Sequence, residues 1–306
     1  MPMSYMPEFV PLTGLYEPSA IQQLPDGRFL VVEDEKVQPF SLVTIAADGQ
    51  VSSTPLLPPE GEDDAAWKLD DLEALAIDPS GFVYALTSHS RSGSGKAKKA
   101  RDKLVRFRVE GGRMAAHSLV RELKPALVAA HPVLAAAAEI TEVKAQGGLN
   151  IEALEIGADA QRLFVGFRSP LIDGKAIIAC VENLAAIFEA GETPRIAPSL
   201  ITLDLGGNGI RGMASAPALG GHFIISGPVG RQQVPFHLWF WSGRLGEAAR
   251  RVRVGDRHGF EHAEGVTPAV IDGRARIVIV SDDGSREEGR YAHYLMLDTA
   301  ELEIEG

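Results

Sequence analysis

L-E-A-L-A-I at residues 72–77 returns as I-E-A-L-E-I at 151–156, with three looser copies at P-S-A-I-Q-Q-L (18–24), I-R-G-M-A-S (210–215) and A-E-G-V-T-P (263–268). Each copy sets one polar or charged residue at the head of a short apolar run: Ser19, Glu73, Glu152, Arg211 and Glu264 in chain order. Each is answered by a second β-type run: F-L-V-V (29–32), V-Y-A-L (83–86), L-F-V-G-F (163–167), F-I-I-S (223–226) and I-V-I-V (277–280). A supersecondary unit repeated at several tens of residues marks a solenoid or a propeller, and units rich in strands and turns point to the propeller. The expectation is an all-β chain folded as a five-bladed β-propeller, one domain over residues 1–306. A six-bladed ring is the alternative, if residues 113–149 hide a short blade.

Counted from opening to opening (19, 73, 152, 211, 264), the spacings are 54, 79, 59 and 53 residues. The long second interval contains S-L-V-R-E-L-K-P-A-L-V-A-A-H-P-V-L-A-A-A-A-E-I (118–140), whose alanine and leucine read as helix interrupted at Pro125 and Pro132. A helical insertion around residues 118–146, assigned to the third repeat, follows. Within a repeat four strands are separated by turn residues, as in P-D-G (25–27), P-S-G (79–81) and E-G-G (110–112). The last repeat ends at Y-L-M-L-D (294–298) without an outer strand, whereas E-F-V-P-L-T (8–13) precedes the first opening. That N-terminal segment is expected to complete the last blade and close the ring, removing an exposed sheet edge.

The 306 residues carry a formal charge of −11, which argues against nucleic acid or an anionic membrane as a partner. The single cysteine, Cys180, lies in the apolar run A-I-I-A-C-V, excludes an intramolecular disulfide and reads as a small core residue. The start M-P-M-S-Y-M-P-E-F-V shows no secretory pattern and no apolar run reaches a membrane span, so a cytoplasmic location is expected.

Consecutive strands of a blade are antiparallel, so the head of each first strand and the end of each second strand share one edge of the sheet. One mouth of the ring therefore gathers Ser19, Asp70, Asp71, Glu73, Asn150, Glu152, Arg211, His262 and Glu264 from the heads. The ends add Glu33, Asp34, residues 88–91, Arg168, Ser169, Ser226, Gly227, Asp282 and Asp283. Many carboxylates in a confined opening require cations, water or proton uptake. Carboxylates with an asparagine carbonyl are hard oxygen donors suited to Ca²⁺ or Mg²⁺. The candidate metal ligands are Asp71, Glu73, Asn150, Glu152, Glu264 and Asp282. A structural alternative stands beside them: Glu73, Glu152 and Glu264 pair with Arg168 and Arg211 and pin neighbouring blades.

The basic loop S-H-S-R-S-G-S-G-K-A-K-K-A-R-D-K (88–103) leaves the mouth directly after a strand. It reads either as a solvated loop or as a flap whose Lys96, Lys98, Lys99 and Arg101 hold an anion. Ser88, His89, Ser90 and Arg91 lie nearest the strand end and have the better claim to a fixed role. Ser19 or Ser226 with His89 or His262 across the mouth is a further nucleophile pair to test, although neither serine has a histidine in its own segment. Gly227 permits close backbone approach to a ligand. His117, His131, His222, His237, His258 and His293 lack metal-ligand spacing and read as packing or surface residues, and Trp239 and Trp241 read as blade packing.

The set L-D-D-L-E-A-L-A (69–76), S-H-S-R (88–91), L-N-I-E-A-L (149–154), F-R-S-P (167–170), I-R-G-M-A (210–214), S-G-P-V-G (226–230) and H-A-E-G-V (262–266) resembles an uncharacterised bacterial propeller family, a domain of unknown function, from about residue 15 to 298. The openings are more distantly similar to esterase-like phytase propellers, a resemblance that implies cation-binding acids around the channel and phosphoester chemistry. It carries over to Glu73, Glu152 and Glu264 as channel acids, with Ser19 and Arg211 departing from the pattern. The leading expectation is a hydrolase of a phosphorylated or otherwise anionic small molecule, assisted by Ca²⁺ or Mg²⁺. Glu73, Glu152, Glu264 and His89 are its candidate catalytic residues, and Arg91, Arg168, Arg211, Ser226 and Gly227 its candidate ligand-binding residues. The alternative is a non-catalytic propeller that binds a ligand or an unidentified protein partner on the same face.

Overall fold

In the computed structural model, which describes residues 8–34, 38–59, 67–230, 234–255, 257, 259–260 and 262–306, the repeated openings become the innermost strands of five sheets set in a ring. After β1 (Val10–Pro11), the first blade is β2 (Pro18–Gln23), β3 (Phe29–Glu33), β4 (Phe40–Ile45) and β5 (Val51–Pro55). The second is β6 (Leu72–Ile77), β7 (Val83–Thr87), β8 (Leu104–Glu110) and β9 (Arg113–Val120). Helices α1 (Leu123–Ala130), α2 (Pro132–Glu139) and α3 (Val143–Gln146) then lead into the third blade. That blade is β10 (Asn150–Ile156), β11 (Leu163–Ser169), β12 (Ala176–Val181), a helix α4 (Leu184–Glu189) and β13 (Ile201–Leu203). The fourth is β14 (Gly209–Ala216), β15 (Gly221–Gly227), β16 (His237–Trp241) and β17 (Arg250–Val254), and the fifth β18 (Ala263–Ile271), β19 (Arg274–Ser281) and β20 (His293–Asp298). A last strand, β21 (Leu302–Ile304), pairs with β17.

The ring closes as expected, with Val10 and Pro11 of β1 paired to Tyr294 and His293 of β20. The innermost strands touch in the cycle β2, β6, β10, β14, β18 and back to β2. Two features differ from the sequence expectation. Residues 118–120 belong to strand β9, so the helical insertion begins at Leu123 and links the second blade to the third. Pro125 is accommodated in the first turn of α1, where no intrahelical N–H is needed, and Pro132 starts α2 instead of breaking it. Residues 113–149 therefore hold an outer strand and three helices, and the ring has five blades. The strand β21, unforeseen, gives the fourth blade a fifth strand.

Alternation along the strands builds the core. In β7, Val83 and Ala85 pack toward the first blade while Tyr84 and Leu86 pack toward the third. In β19, Ile277 and Ile279 face the fourth blade, and Val278 and Val280 face the first. Each blade is thus apolar on both faces, which is why its strands read as continuous hydrophobic runs. Five clusters fill the five blade-to-blade interfaces, and Cys180 and Trp241 lie in the one between the third and fourth. Of the remaining histidines, His222 stacks on Trp241 and His131 is buried, whereas His258 lies outside the described residues. Among the described residues no helix is long and apolar enough to cross a membrane.

Polar side chains also bridge blades. Gln23 of β2 both donates to the Val270 carbonyl (3.0 Å) and accepts from the Val270 N–H (2.8 Å), imitating a strand pair. Between the third and fourth blades the buried Glu155 accepts the N–H groups of Ile156 (2.7 Å) and Ser215 (2.5 Å). Burial outweighs those two bonds and pushes its carboxyl up to about 8. The folded state therefore holds a proton that the unfolded chain, titrating near 4.5, has released. Stability must fall as pH rises from about 4.5 through about 8, by an amount on the order of a few kcal/mol. Urea midpoints at pH 5 and pH 8 should show that drop in the parent and a smaller one in Glu155→Gln; equal slopes would refute the assignment.

Candidate functional site

In all five blades the residue that heads the opening is the extra residue of a β-bulge. Register steps from Leu72↔Thr87 to Ala74↔Leu86 leave Glu73 unpaired in the ladder. The same step leaves out Ser19, Glu152, Arg211 and Glu264 in the other blades. A bulge re-aims its side chain out of the alternating pattern. Here it directs Glu73, Glu152, Arg211 and Glu264 to the ring axis, where all four border one cavity of about 440 Å³. The glycines that follow, Gly212 and Gly265, let the inner strands approach: a Cβ on Gly212 would overlap the Glu264 carbonyl, and one on Gly265 would press on the backbone of Ala20 and Ile21.

Beneath these side chains the axis narrows to about 10 Å³, closed by Ile21, Leu75, Leu154, Met213 and Val266. The site is a cup that narrows onto mainly apolar side chains. Its wall adds Asp34 from the end of β3, Asp71 and Ser90 from the second blade, Asn150 and Arg168 from the third, and Asp282 from the end of β19. Residues 141–145 of the insertion and Arg101 of the basic loop complete the rim.

Two charge systems share this cup. In the first, the guanidinium of Arg211 lies 2.9 Å from Glu152, out of line for a hydrogen bond, and in close contact with Glu264. Glu152 also accepts from Asn150 Nδ2 (2.7 Å) and Arg168 Nη1 (3.1 Å). Arg168 is braced by the carbonyls of Pro228 (3.0 Å) and Gly230 (3.3 Å). Burial holds the Arg211 pKa down, with Glu152 opposing. Even so, Nη1 of Arg211 and Oδ1 of Asn150 are buried with no hydrogen-bond partner among the described residues.

The second system is Asp34, Asp71 and Glu73, each offering a carboxylate oxygen within 4.8 Å of the others. Asp71 is fixed by Ser88, by Ser90 Oγ (3.0 Å) and by Arg101 Nη1 (2.8 Å). Glu73 is only 9% exposed and has no hydrogen bond or ion pair among the described residues. Burial first, then the charges of Glu152, Asp71 and Asp34, raises its pKa well above the usual carboxylate range. Burial raises that of Asp282 as well, opposed by Arg211, His262 and Lys144. Donor oxygens at this spacing fit the shell of Ca²⁺, whose ligands lie about 2.3–2.6 Å from the ion.

The placement of the other candidates is uneven. Asp71, Glu73, Asn150, Glu152, Glu264 and Asp282 do line one cavity, as do Arg91, Arg168 and Arg211. His89 does not line it. The residue is fully buried in a left-handed turn (φ 57°), its Nδ1 is 2.8 Å from the Thr87 carbonyl oxygen, and burial pushes its pKa down to about 4. Ser226 Oγ is taken by the Trp239 indole N–H (2.9 Å), and Gly227 makes room for Phe236 and the Arg211 stem. Glu33 is bound by Arg286 (2.7 Å) and the Tyr16 N–H (3.1 Å).

The basic loop is not a free flap. Lys98 donates to Asp70 (2.7 Å) and Arg101 to Asp70 and Asp71, so two of its cations neutralise acids of the mouth. Burial would raise the Asp70 pKa, but these cations outweigh it and the net shift is downward. Asp34 was legible as a mouth residue but not as a metal ligand; its signal is its position directly after a second strand, matching Asp282. Arg101 was legible as a loop cation that could reach an anion at the mouth, but not as the partner of Asp70 and Asp71 that it is; residues 141–145 gave no usable signal, because nothing in their local pattern says that they fold back over the axis.

The fold and this cup define a five-bladed propeller with an acidic mouth crossed by arginines. The chain belongs to the family described as "Protein of unknown function (DUF3616)", matched over residues 96–298. No protein of curated function matches it. Among solved structures it is similar to a GH43 β-1,3-galactosidase in complex with galactodeoxynojirimycin, at 11% identity over 96% of this chain and 98% of that one, TM-score 0.51. It is also similar to a PQQ-bound aldose sugar dehydrogenase from Streptomyces coelicolor, at 17% identity over 98% of each chain, TM-score 0.45. At such identities the likeness is one of fold.

Removing Arg211 leaves Glu152 and Glu264 buried without their shared cation, which costs about 3–5 kcal/mol for a broken buried pair. Arg211→Met should lose that much by urea titration at pH 7. An unchanged midpoint at pH 7 would show that the triad carries no structural weight.

Proposed function

We propose that the mouth is a cation-assisted site for a phosphorylated or otherwise anionic small molecule, with hydrolysis of that molecule as its reaction. The observation that supports this most is the meeting of three carboxylates, one of them buried and without a partner among the described residues, with a buried arginine nitrogen that has no acceptor among them either. Asp34, Asp71 and Glu73 would hold Ca²⁺ or Mg²⁺. When bound, such an ion polarises a phosphoryl or acyl oxygen and acidifies water. Nη1 of Arg211 would receive an oxygen of the anion, and Oδ1 of Asn150 a hydroxyl or water proton. Arg168 and Glu152 keep Arg211 in place. Lys144, whose charge reaches Asp282, would close the rim from above. With a ligand seated, the apolar neck and the insertion would limit water around it, which would strengthen each of these interactions.

The alternative reading, a non-catalytic binding propeller, draws support from Glu152 and Glu264, both paired with arginine. Glu73 is the residue that separates the two readings. Thermal unfolding with Ca²⁺ or Mg²⁺ should show a rise of several degrees, since a ligand at a hundredfold excess over Kd adds about 2.7 kcal/mol. Glu73→Gln and Asp71→Asn should abolish the rise, and the metal-loaded parent should hydrolyse members of a phosphoester panel. A metal-dependent rise without turnover favours the binding reading, and no metal response in the parent contradicts both the cation site and the hydrolase.

A further inference from the structure

A second recess of about 680 Å³ lies between the basic loop and the helical insertion, outside the mouth. It belongs to neither charge system described above. Its cations are Arg91, Lys99, Arg121 and Lys124, against two acids, Asp102 and Glu139. Lys124 is paired with Asp102 (3.0 Å), while Arg91 donates to the Ala138 carbonyl (2.9 Å) and reaches Glu139 (3.4 Å). Both acids are therefore spent. Among the described residues the side chains of Lys99 and Arg121 have no such partner, so the recess keeps two uncompensated positive charges.

Lys103 is buried nearby with its ammonium on the Lys68 carbonyl (2.8 Å), and its pKa is held down by burial and then by the charge of Arg121. Helix α1 begins at this recess, presenting Lys124, Pro125 and Val128 to it. The Glu122 side chain ahead of that helix does not cap it, accepting instead the Arg121 N–H (2.9 Å). The remaining lining is apolar, from Ala97, Pro125, Val128 and the Ala138 side. A volume of a few hundred Å³ with mainly apolar walls and a few convergent polar groups is the usual form of a small-molecule site.

We propose that this recess binds a small amphipathic anion, its charged head between Lys99 and Arg121 and its apolar body against Pro125 and Val128. The charge balance excludes a cationic ligand, and the apolar wall gives a bare inorganic anion nothing to lie against. Arg91 borders both this recess and the mouth, so the two are neighbours across one side chain. The proposal does not depend on the chemistry of the mouth.

The test uses 1-anilinonaphthalene-8-sulfonate as the fluorescent amphipathic anion and N-phenyl-1-naphthylamine as its uncharged counterpart, on the full folded chain. The sulfonate should bind with a stoichiometry of one and be displaced by octanoate or by octyl phosphate, the tighter competitor identifying the preferred head group. Inorganic phosphate at the same concentration should not displace it. The uncharged probe should bind at least tenfold more weakly. Lys99→Ala with Arg121→Ala, both exposed, should weaken the sulfonate at least tenfold with an unchanged melting temperature, and Glu73→Gln should leave it unaltered. Equal binding of the two probes, no loss in the double variant, or displacement by neither organic anion would overturn the proposal. Loss on Glu73→Gln would overturn it too, by placing the probe in the mouth.

Discussion

Arg211, buried between the carboxylates of two other blades, is the interaction on which the mouth depends. A guanidinium so deep in protein is tolerated only where acids surround it. Glu152 of the third blade and Glu264 of the fifth supply them. All three are bulge residues, so a backbone irregularity repeated in every blade brings them to one axis. The pairing spans three consecutive blades and is electrostatic, whereas the blade interfaces are held by apolar packing. Ring and mouth thus use different physics at different radii.

The imbalance in that arrangement carries the functional reading. Arg211 and Arg168 balance the charges of Glu152 and Glu264, and the basic loop those of Asp70 and Asp71. Glu73 has no ion pair among the described residues, and around it the charges of Glu152, Asp71 and Asp34 outweigh that of Arg211. A carboxyl in that position either keeps a proton or shares a cation with Asp34 and Asp71. The insertion and the basic loop then act together as the outer wall, joined where Arg91 meets the end of α2 and Lys124 meets Asp102.

The ring was legible because its signals are local. Short apolar runs, turn residues and the recurring opening located the inner strands, and the unmatched segment 8–13 implied closure by β1. Residues at the mouth were legible as a set, since antiparallel pairing fixes which strand ends share an edge. Their individual roles were not. A bulge is a relation between two strands and leaves no mark in one, so the sequence could not show that Glu73 and Arg211 leave the pleat. His89 stands next to the mouth in the chain, yet a left-handed turn folds its ring back onto Thr87. The strand β21 is three residues long and pairs with β17, far back in the chain, which no periodicity reveals. The join between β9 and α1 was blurred because Ser118, Leu119 and Val120 suit either structure.

The central claim is that Asp34, Asp71 and Glu73 form a cation site at the head of the ring. Crystals soaked in Mn²⁺ and measured at a wavelength where manganese scatters anomalously would address it directly. A single anomalous peak among those three carboxylates, absent in Glu73→Gln crystals, is the result the account predicts. A peak elsewhere in the cup, or none with the three carboxylates bonded to protein donors, would contradict it.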